Sequence, residues 1–317
     1  MFSAALNRRS SALGVHSLDH FSLTVPDLEA ASDFYSTFGL ELIPHGNAVG
    51  VYASGNPQLW GVLLEGPIKR LHHLSFGVFG EDLERFKHRV ETRGIRLLDP
   101  PPGIIEPAGL WFRDPDGVLI QLRAAPKTSL DQKLAAEFIS SPDGKAGAPK
   151  RSQVPIVRPL RLAHCLTFTR NVSNAICFYT ELLGLRLSDR SGSDSAYMHG
   201  IHGSDHHLIA FARSHAPGFH HCCWDVRSVN EIGLGAMQMA ARGHHKGWGL
   251  GRHVLGSNYF HYVRDPWGSY CEYSCDMDYI PVDMEWKAGD HDPEDAFYVW
   301  GPNPPVDWTH NHEADRG

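Results

Sequence analysis

LDHFSLTVPDLEAASDFYSTFGLEL, residues 18–42, returns later in the chain as LAHCLTFTRNVSNAICFYTELLGLRL, residues 162–187. Each copy places a His on an apolar run, follows it fourteen residues on (34 − 20 and 178 − 164) with the Phe of a Phe-Tyr pair, and then reaches Gly-Leu. Two further pairs keep the same order: RLHHLSFGV (70–78) with GFHHCCWDV (218–226), and FRDPDGVLIQLR (112–123) with VRDPWGSYCEYS (263–274). The offsets are 144, 148 and 151 residues (164 − 20, 221 − 73, 265 − 114), so one long unit is present twice with only a few residues inserted. A repeat of this length has to be read before any single motif, because it assigns equivalent positions in the two copies.

Within each copy the period of the apolar residues changes along the chain. HFSLTV alternates as a strand does, LEAASDFYSTF has helical spacing, and short β-rich pieces punctuated by Gly and Pro follow. HHLSFGV, the helical EDLERFKHRVETRG and strands ending at the DPDG turn make a second unit of the same kind in the first half. The expected fold class is therefore α+β, with four βαβββ modules forming two curved-sheet, barrel-like domains. The first domain covers residues 1–135 and carries no metal; residues 136–158 are a polar linker rich in Pro, Ser and Lys, with one short helix at most; residues 159–317 form the metal-binding domain and its C-terminal tail.

A chain of 317 residues with 42% hydrophobic content can bury a core without staples. Its formal charge of −7 speaks against nucleic-acid or membrane-surface binding, both of which need a basic face, and leaves a small molecule as the expected partner. No apolar run approaches the ~20 residues of a membrane helix, and the opening MFSAALNRRSSALGVHS lacks the apolar segment of a secretion signal, so a cytoplasmic location is expected. All six cysteines lie in the second half at no zinc-finger spacing and are read as free thiols.

The repeat singles out His164, His221 and Glu272, separated by 57 and 51 residues (221 − 164, 272 − 221). Such gaps are too long for a local motif, and the three can meet only on neighbouring strands. Two imidazoles and a carboxylate are the donor set of the facial triad that holds non-haem Fe(II) with positions left open. Cys165, Cys222 and Cys271 each adjoin one of the three in sequence, and strand alternation turns them to the opposite face. The matching first-half residues are His20, His73 and Gln121, where a neutral amide replaces the carboxylate and weakens any such site.

The segment GRHVLGSNYFHYVRDPWGSYCEYSCDMDY (251–279) then resembles the signature of the two-domain type I extradiol ring-cleavage dioxygenases of the vicinal oxygen chelate superfamily: GRH, a Tyr nine residues later, and the ligand Glu ten after that. The resemblance spans residues 16–300. It implies Fe(II), with Mn(II) as second choice, on His164, His221 and Glu272, and makes His221 rather than His220 the inward residue of its pair. It implies His207 as acid/base, with adjacent His206 as the rival, and His253 and Tyr262 as groups that orient a catecholate. The implied reaction is extradiol cleavage of a catechol by O2, in a homo-oligomeric enzyme.

Relatives acting on carboxylated catechols resemble this chain but tend to carry an Arg where it has Trp248. Trp248, Tyr259 and Phe260 are accordingly expected to wall an apolar pocket suited to catechol or to alkyl- or aryl-catechols. The segment 278–302 is either a lid over that pocket or a surface tail. Two other readings share the fold: a glyoxalase-type metal isomerase, which would draw its ligands from both modules, and a ligand-sequestering protein, which would need neither metal nor acid/base histidine.

Overall fold

The helix Leu28–Thr37 begins where the Asp27 side chain accepts the Ala30 N–H at 2.9 Å. At the equivalent place in the second copy, Asn171 accepts from Asn174 at 3.0 Å and starts the helix Val172–Glu181. A short acceptor side chain here satisfies one of the four N–H groups that a helix start leaves unpaired. Ala31, Phe34 and Tyr35 are buried on the first helix, and Val172, Ala175 and Tyr179 on the second, each set holding to the three-to-four-residue spacing of one face.

The computed structural model describes residues 7–138 and 140–316. The first half runs β1 (Ser17–Val25), α1 (Leu28–Thr37), β2 (Glu41–His45), β3 (Ala48–Tyr52), β4 (Gly61–Glu65), β5 (Arg70–Val78), α2 (Leu83–Thr92), β6 (Leu110–Arg113) and β7 (Leu119–Ala124). Its seven strands form one sheet in the order β2-β3-β4-β1-β5-β7-β6. The second module is one strand short of the expected pattern. Where that strand should lie, a single bridge joins Leu98 to Trp111. Pro100, Pro101 and Pro102 follow at once, and residues without an N–H cannot extend a ladder.

The second half runs β8 (Arg161–Thr169), α3 (Val172–Glu181), β9 (Arg186–Ser191), β10 (Ser195–His199), β11 (Ser204–Asp205), β12 (Ile209–Arg213), β13 (Gly218–Asp225), α4 (Val229–Ala240), β14 (Gly247–His253), β15 (Tyr259–Arg264), β16 (Tyr270–Cys275), β17 (Tyr279–Ile280), β18 (Gly289–Asp290), α5 (Pro293–Ala296) and β19 (Tyr298–Trp300). Ten of these strands form a sheet in the order β18-β9-β10-β12-β8-β13-β16-β15-β14-β19. Its middle repeats the order of the first sheet strand for strand. Both sheets are open, with unjoined edge strands, so the barrel-like expectation resolves into two curved sheets. In the connecting stretch the described residues form one short 3₁₀ helix, Arg151–Gln153.

Segment 278–302 is not a free tail. β18 pairs with β9 at one edge of the large sheet, and β19 pairs with β14 at the other. Among the described residues no helix is long and apolar enough to cross a membrane.

One apolar core runs through both halves. Phe38 stacks on Tyr273 with ring centroids 3.7 Å apart and planes within 6°, and the Tyr273 hydroxyl donates to the Phe38 carbonyl at 2.8 Å. Phe21 stacks on Phe219 at 5.4 Å. Buried Lys69 pairs with Glu313 at 2.6 Å across the same junction. Removing the Tyr273 ring opens a cavity between the halves, so Tyr273→Ala is expected to cost about 3–5 kcal/mol, and Tyr273→Phe, which loses one hydrogen bond, about 1 kcal/mol. Urea unfolding checks this: equal midpoints for wild type and Tyr273→Ala would mean that the stack contributes nothing.

Candidate metal centre

Cross-strand partners in a sheet point to the same face. The register of the large sheet pairs His164 on β8 with Cys223 on β13, Cys223 with Glu272 on β16, Glu272 with Tyr262 on β15, and Tyr262 with Trp248 on β14. His221 lies two residues before Cys223 on β13 and so faces the same way. The long sequence gaps thus close into one row across adjacent strands. A bulge in the β8–β13 ladder between Phe219 and His221 leaves His220 as the extra residue, without a partner across the ladder.

At the centre of this face the Nε2 atoms of His164 and His221 are 3.2 Å apart, and each is 3.5 Å from Glu272 Oε2. Glu272 has no exposed surface, and its Oε2 has no hydrogen-bond partner. A buried carboxylate oxygen without a partner is costly, and here it meets two ring nitrogens at nearly the separation, about 3 Å, of neighbouring donors around an ion with ~2.1 Å bonds. The supporting contacts fit as well. Trp308 O, which can only accept, takes the His220 Nε2 proton at 2.8 Å. His220 Nδ1 is then the acceptor for His221 Nδ1–H at 2.7 Å, which leaves the His221 Nε2 lone pair aimed at the centre. Burial holds the His221 ring well below the ordinary imidazole range, in the neutral form a ligand requires. Asn258 Nδ2 donates to Glu272 Oε1 at 3.2 Å and to Ser274 Oγ at 2.9 Å, fixing the carboxylate.

A cavity of about 250 Å³ opens over the three residues. His207 is on its wall, with its ring 4.1 Å from that of His164, while His206 lies behind it. His253 and Tyr262 line it too. Phe297 O accepts the His253 Nδ1 proton at 2.9 Å, so His253, held neutral by burial, accepts the Tyr262 hydroxyl on Nε2 at 2.9 Å. Burial and the nearby Glu272 charge push the Tyr262 phenol well above its ordinary value.

The expected pocket wall is corrected. Trp248, Tyr259 and Phe260 are not among the residues lining the cavity. The Trp248 indole lies behind Tyr262 at 5.7 Å and donates to Pro302 O at 2.7 Å. Phe260 is fully buried beneath the His253 ring, which stacks on it at 4.0 Å. Tyr259 points to the opposite side of β15 from Tyr262 and carries the Arg252 guanidinium 4.7 Å above its ring. The wall is made instead by Leu166, Tyr197, Ala212, Leu255, Phe297 and Trp308.

Cys165, Cys222 and Cys271 pack into the core. Cys223, by contrast, shares the face of Glu272; burial and that carboxylate raise its thiol well above the usual range, so it is uncharged. Strand alternation from His221 carries the signal for Cys223; Asn258 has no comparable one. In the first half, His20 and His73 also bring their Nε2 atoms to 3.2 Å. Gln121, however, donates its amide to the carbonyls of Glu106 (2.6 Å) and Ala108 (2.9 Å). Another cluster among the described residues able to hold a metal, His310, His312 and Asp315, is largely exposed.

The family model for the Glyoxalase/Bleomycin resistance protein/Dioxygenase superfamily matches residues 17–122 and again 161–273, once in each half. Metapyrocatechase 2 from Cupriavidus necator is 49% identical over 300 residues, which cover 95% of this chain and 93% of that protein. Two solved structures share the fold at low identity. The Mn(II)-bound glyoxalase from Novosphingobium aromaticivorans has a TM-score of 0.73 at 23% identity, covering 92% of this chain and 93% of its own. A mutant of homoprotocatechuate 2,3-dioxygenase from Brevibacterium fuscum has a TM-score of 0.76 at 18% identity, covering 95% and 83%.

With one complete His/His/Glu set, the protein is expected to bind about one Fe(II) per chain, and Glu272→Gln to lose most of it. Metal analysis of both proteins after loading and desalting checks this; two ions per chain, or full occupancy in Glu272→Gln, would contradict it.

Proposed function

The chain belongs to the glyoxalase/bleomycin resistance protein/dioxygenase superfamily, and from that premise we propose that it is an extradiol dioxygenase. It opens the ring of a catechol beside its two hydroxyls and places both atoms of O2 in a 2-hydroxymuconic semialdehyde-type product. The observation that carries this reading is the complete His164/His221/Glu272 set in one half, facing a cavity walled by His207, His253 and Tyr262. It agrees with the name metapyrocatechase borne by the 49%-identical relative. Fe(II) is the resident ion of this reading.

When bound by His164, His221 and Glu272, Fe(II) would gather both vicinal oxygens and O2 at one centre and lower the pKa of the bound hydroxyls. The protein's own groups do the rest. Burial and the neighbouring imidazoles keep His207 neutral, and on the cavity wall it takes a proton from the diol and returns one later in the turnover. Tyr262, whose hydroxyl proton is engaged by His253, offers its oxygen to the second substrate hydroxyl and so sets the ring's orientation. Asn258 keeps Glu272 from turning. Leu166, Ala212, Leu255 and Phe297 exclude water from the ring.

No Lys or Arg is among the described residues that line the cavity. A ring carboxylate would be desolvated there without a cation to pair it, at a cost of several kcal/mol. The expected substrates are therefore catechol and its alkyl or aryl derivatives.

Fe(II)-loaded protein is expected to turn catechol yellow in air and to consume one O2 per ring, which a sequestering protein or an isomerase does not do. His207→Ala should keep its iron and lose on the order of 10²–10⁴ in kcat. An oxygen electrode reads both, and an unchanged kcat would remove His207 from the reaction. On a panel of substrates, kcat/KM for catechol and alkylcatechols is expected to exceed that for protocatechuate and homoprotocatechuate by at least about tenfold, the equivalent of ~1.4 kcal/mol. A preference for the carboxylated rings would overturn the apolar-wall argument and leave the ring cleavage standing.

A further inference from the structure

Behind His207, outside the cavity, stands a chain of hydrogen bonds that the reaction as described does not use. His207 Nδ1 lies 3.1 Å from Nδ1 of His206. His206 Nε2 lies 2.8 Å from Oδ2 of Asp189 on β9. The other oxygen of Asp189 accepts from the Gly289 N–H at 2.8 Å and meets His291 Nε2 at 2.7 Å. His206 is buried and has the Trp286 ring edge-on at 5.5 Å, so neither it nor the carboxylate is free to swing.

We infer that Asp189 and His206 are positioning residues for the reaction: they fix the tautomer of His207 so that it meets the substrate as a base, and they hold the proton that it removes. A carboxylate only accepts, so the proton in the first bond sits on His206 Nε2. His206 Nδ1 is then a lone pair, and the proton in the second bond must sit on His207 Nδ1. His207 is left with its Nε2 lone pair toward the cavity. Asp189 is suited to its end of the chain: burial works against its charge, but the bonds from His206, His291 and Gly289 outweigh it and hold the carboxyl below its usual range.

The step balances without any change of oxidation state. As the substrate O–H breaks and an N–H forms at His207 Nε2, the Nδ1 proton passes to His206 Nδ1. The positive charge then rests on His206, against the Asp189 carboxylate, instead of beside the metal ligand His164. The reverse transfer restores the Nε2 proton for delivery. This inference rests on the assignment of His207 as the acid/base.

The test uses the iron-loaded enzyme. Asp189→Asn keeps the shape and removes the obligatory acceptor; it is expected to lower kcat about 10–100-fold, the usual range for groups that orient an active residue from behind, with iron content and KM unchanged. His206→Phe keeps the ring volume, severs both bonds and should show the same loss. In the His207→Ala background neither change should lower kcat further, because the group they serve is gone. Wild-type kcat in Asp189→Asn and His206→Phe, with His207→Ala impaired, overturns the relay alone. An equal loss on top of His207→Ala shows a merely structural role and also overturns it. Wild-type kcat in His207→Ala overturns the acid/base assignment first, and the relay with it.

Discussion

A carboxylate with no exposed surface and one unpaired oxygen, Glu272, sits between two imidazole nitrogens. Taking such a charge out of water is among the most expensive things a fold can do unless a cation answers it. The surrounding structure is organised to keep that oxygen unpaired. Asn258 occupies Oε1 only, His220 turns the His221 lone pair inward, and the strand register sets Tyr262 beside the carboxylate, with its hydroxyl proton given to His253. Each of these contacts removes a competitor that could otherwise have satisfied Oε2. A donor set held open in this way is a preorganised cation site, and the energy stored in it is released when an ion arrives.

The two halves show how little sequence change separates a scaffold from a site. Both sheets share one strand order, and both put two histidines Nε2 to Nε2 at 3.2 Å. In the first half, however, the row reads His20, Ser75, Gln121 and Trp111, where the second reads His164, Cys223, Glu272 and Tyr262. Gln121 can donate, and it does so to two loop carbonyls; a carboxylate at this place could not. Trp111 stands 5.0 Å from His73 much as Tyr262 stands 5.1 Å from His221, but its indole N–H goes to the Pro107 carbonyl at 2.9 Å, and it has no hydroxyl to offer a ligand. His20 is tied to Asp19, whose charge Arg123 already answers at 3.0 Å. The carboxylate beside His20 is thus already paired, whereas Glu272 keeps one oxygen without a partner.

What the repeat encodes could be read from the sequence, because equivalent positions on equivalent strands must share a face. The convergence of His164, His221 and Glu272 is of this kind, as is the helix read from the spacing of LEAASDFYSTF. The errors fall where local periodicity breaks or where distant segments meet. Trp248 and Phe260 are apolar neighbours of His253 in sequence, but Tyr262 and His253 stand between them and the cavity: the Trp248 indole stacks behind Tyr262, and Phe260 lies under the His253 ring. The missing strand near Leu98 yields to three prolines whose effect on pairing a strand-like composition conceals. The Asp189–His206 contact joins residues 17 apart, and the carboxylate is held from behind by a C-terminal segment that has no counterpart in the repeat.

That segment completes what the repeat began. The duplicated sheet supplies the ligands, and the C-terminal segment pairs with both sheet edges and adds Pro293, Ala296, Phe297 and Trp308 to the cavity lining. The same segment also sets the imidazoles. Phe297 O fixes His253, Trp308 O fixes His220 and through it His221, and Gly289 and His291 hold Asp189 behind His206. Carbonyls and carboxylates accept without donating, so each contact decides which ring nitrogen keeps its proton. Part of the cavity lining and the proton inventory of the site therefore depend on the same segment, and its displacement would undo the tautomers that face the substrate as well as let in water.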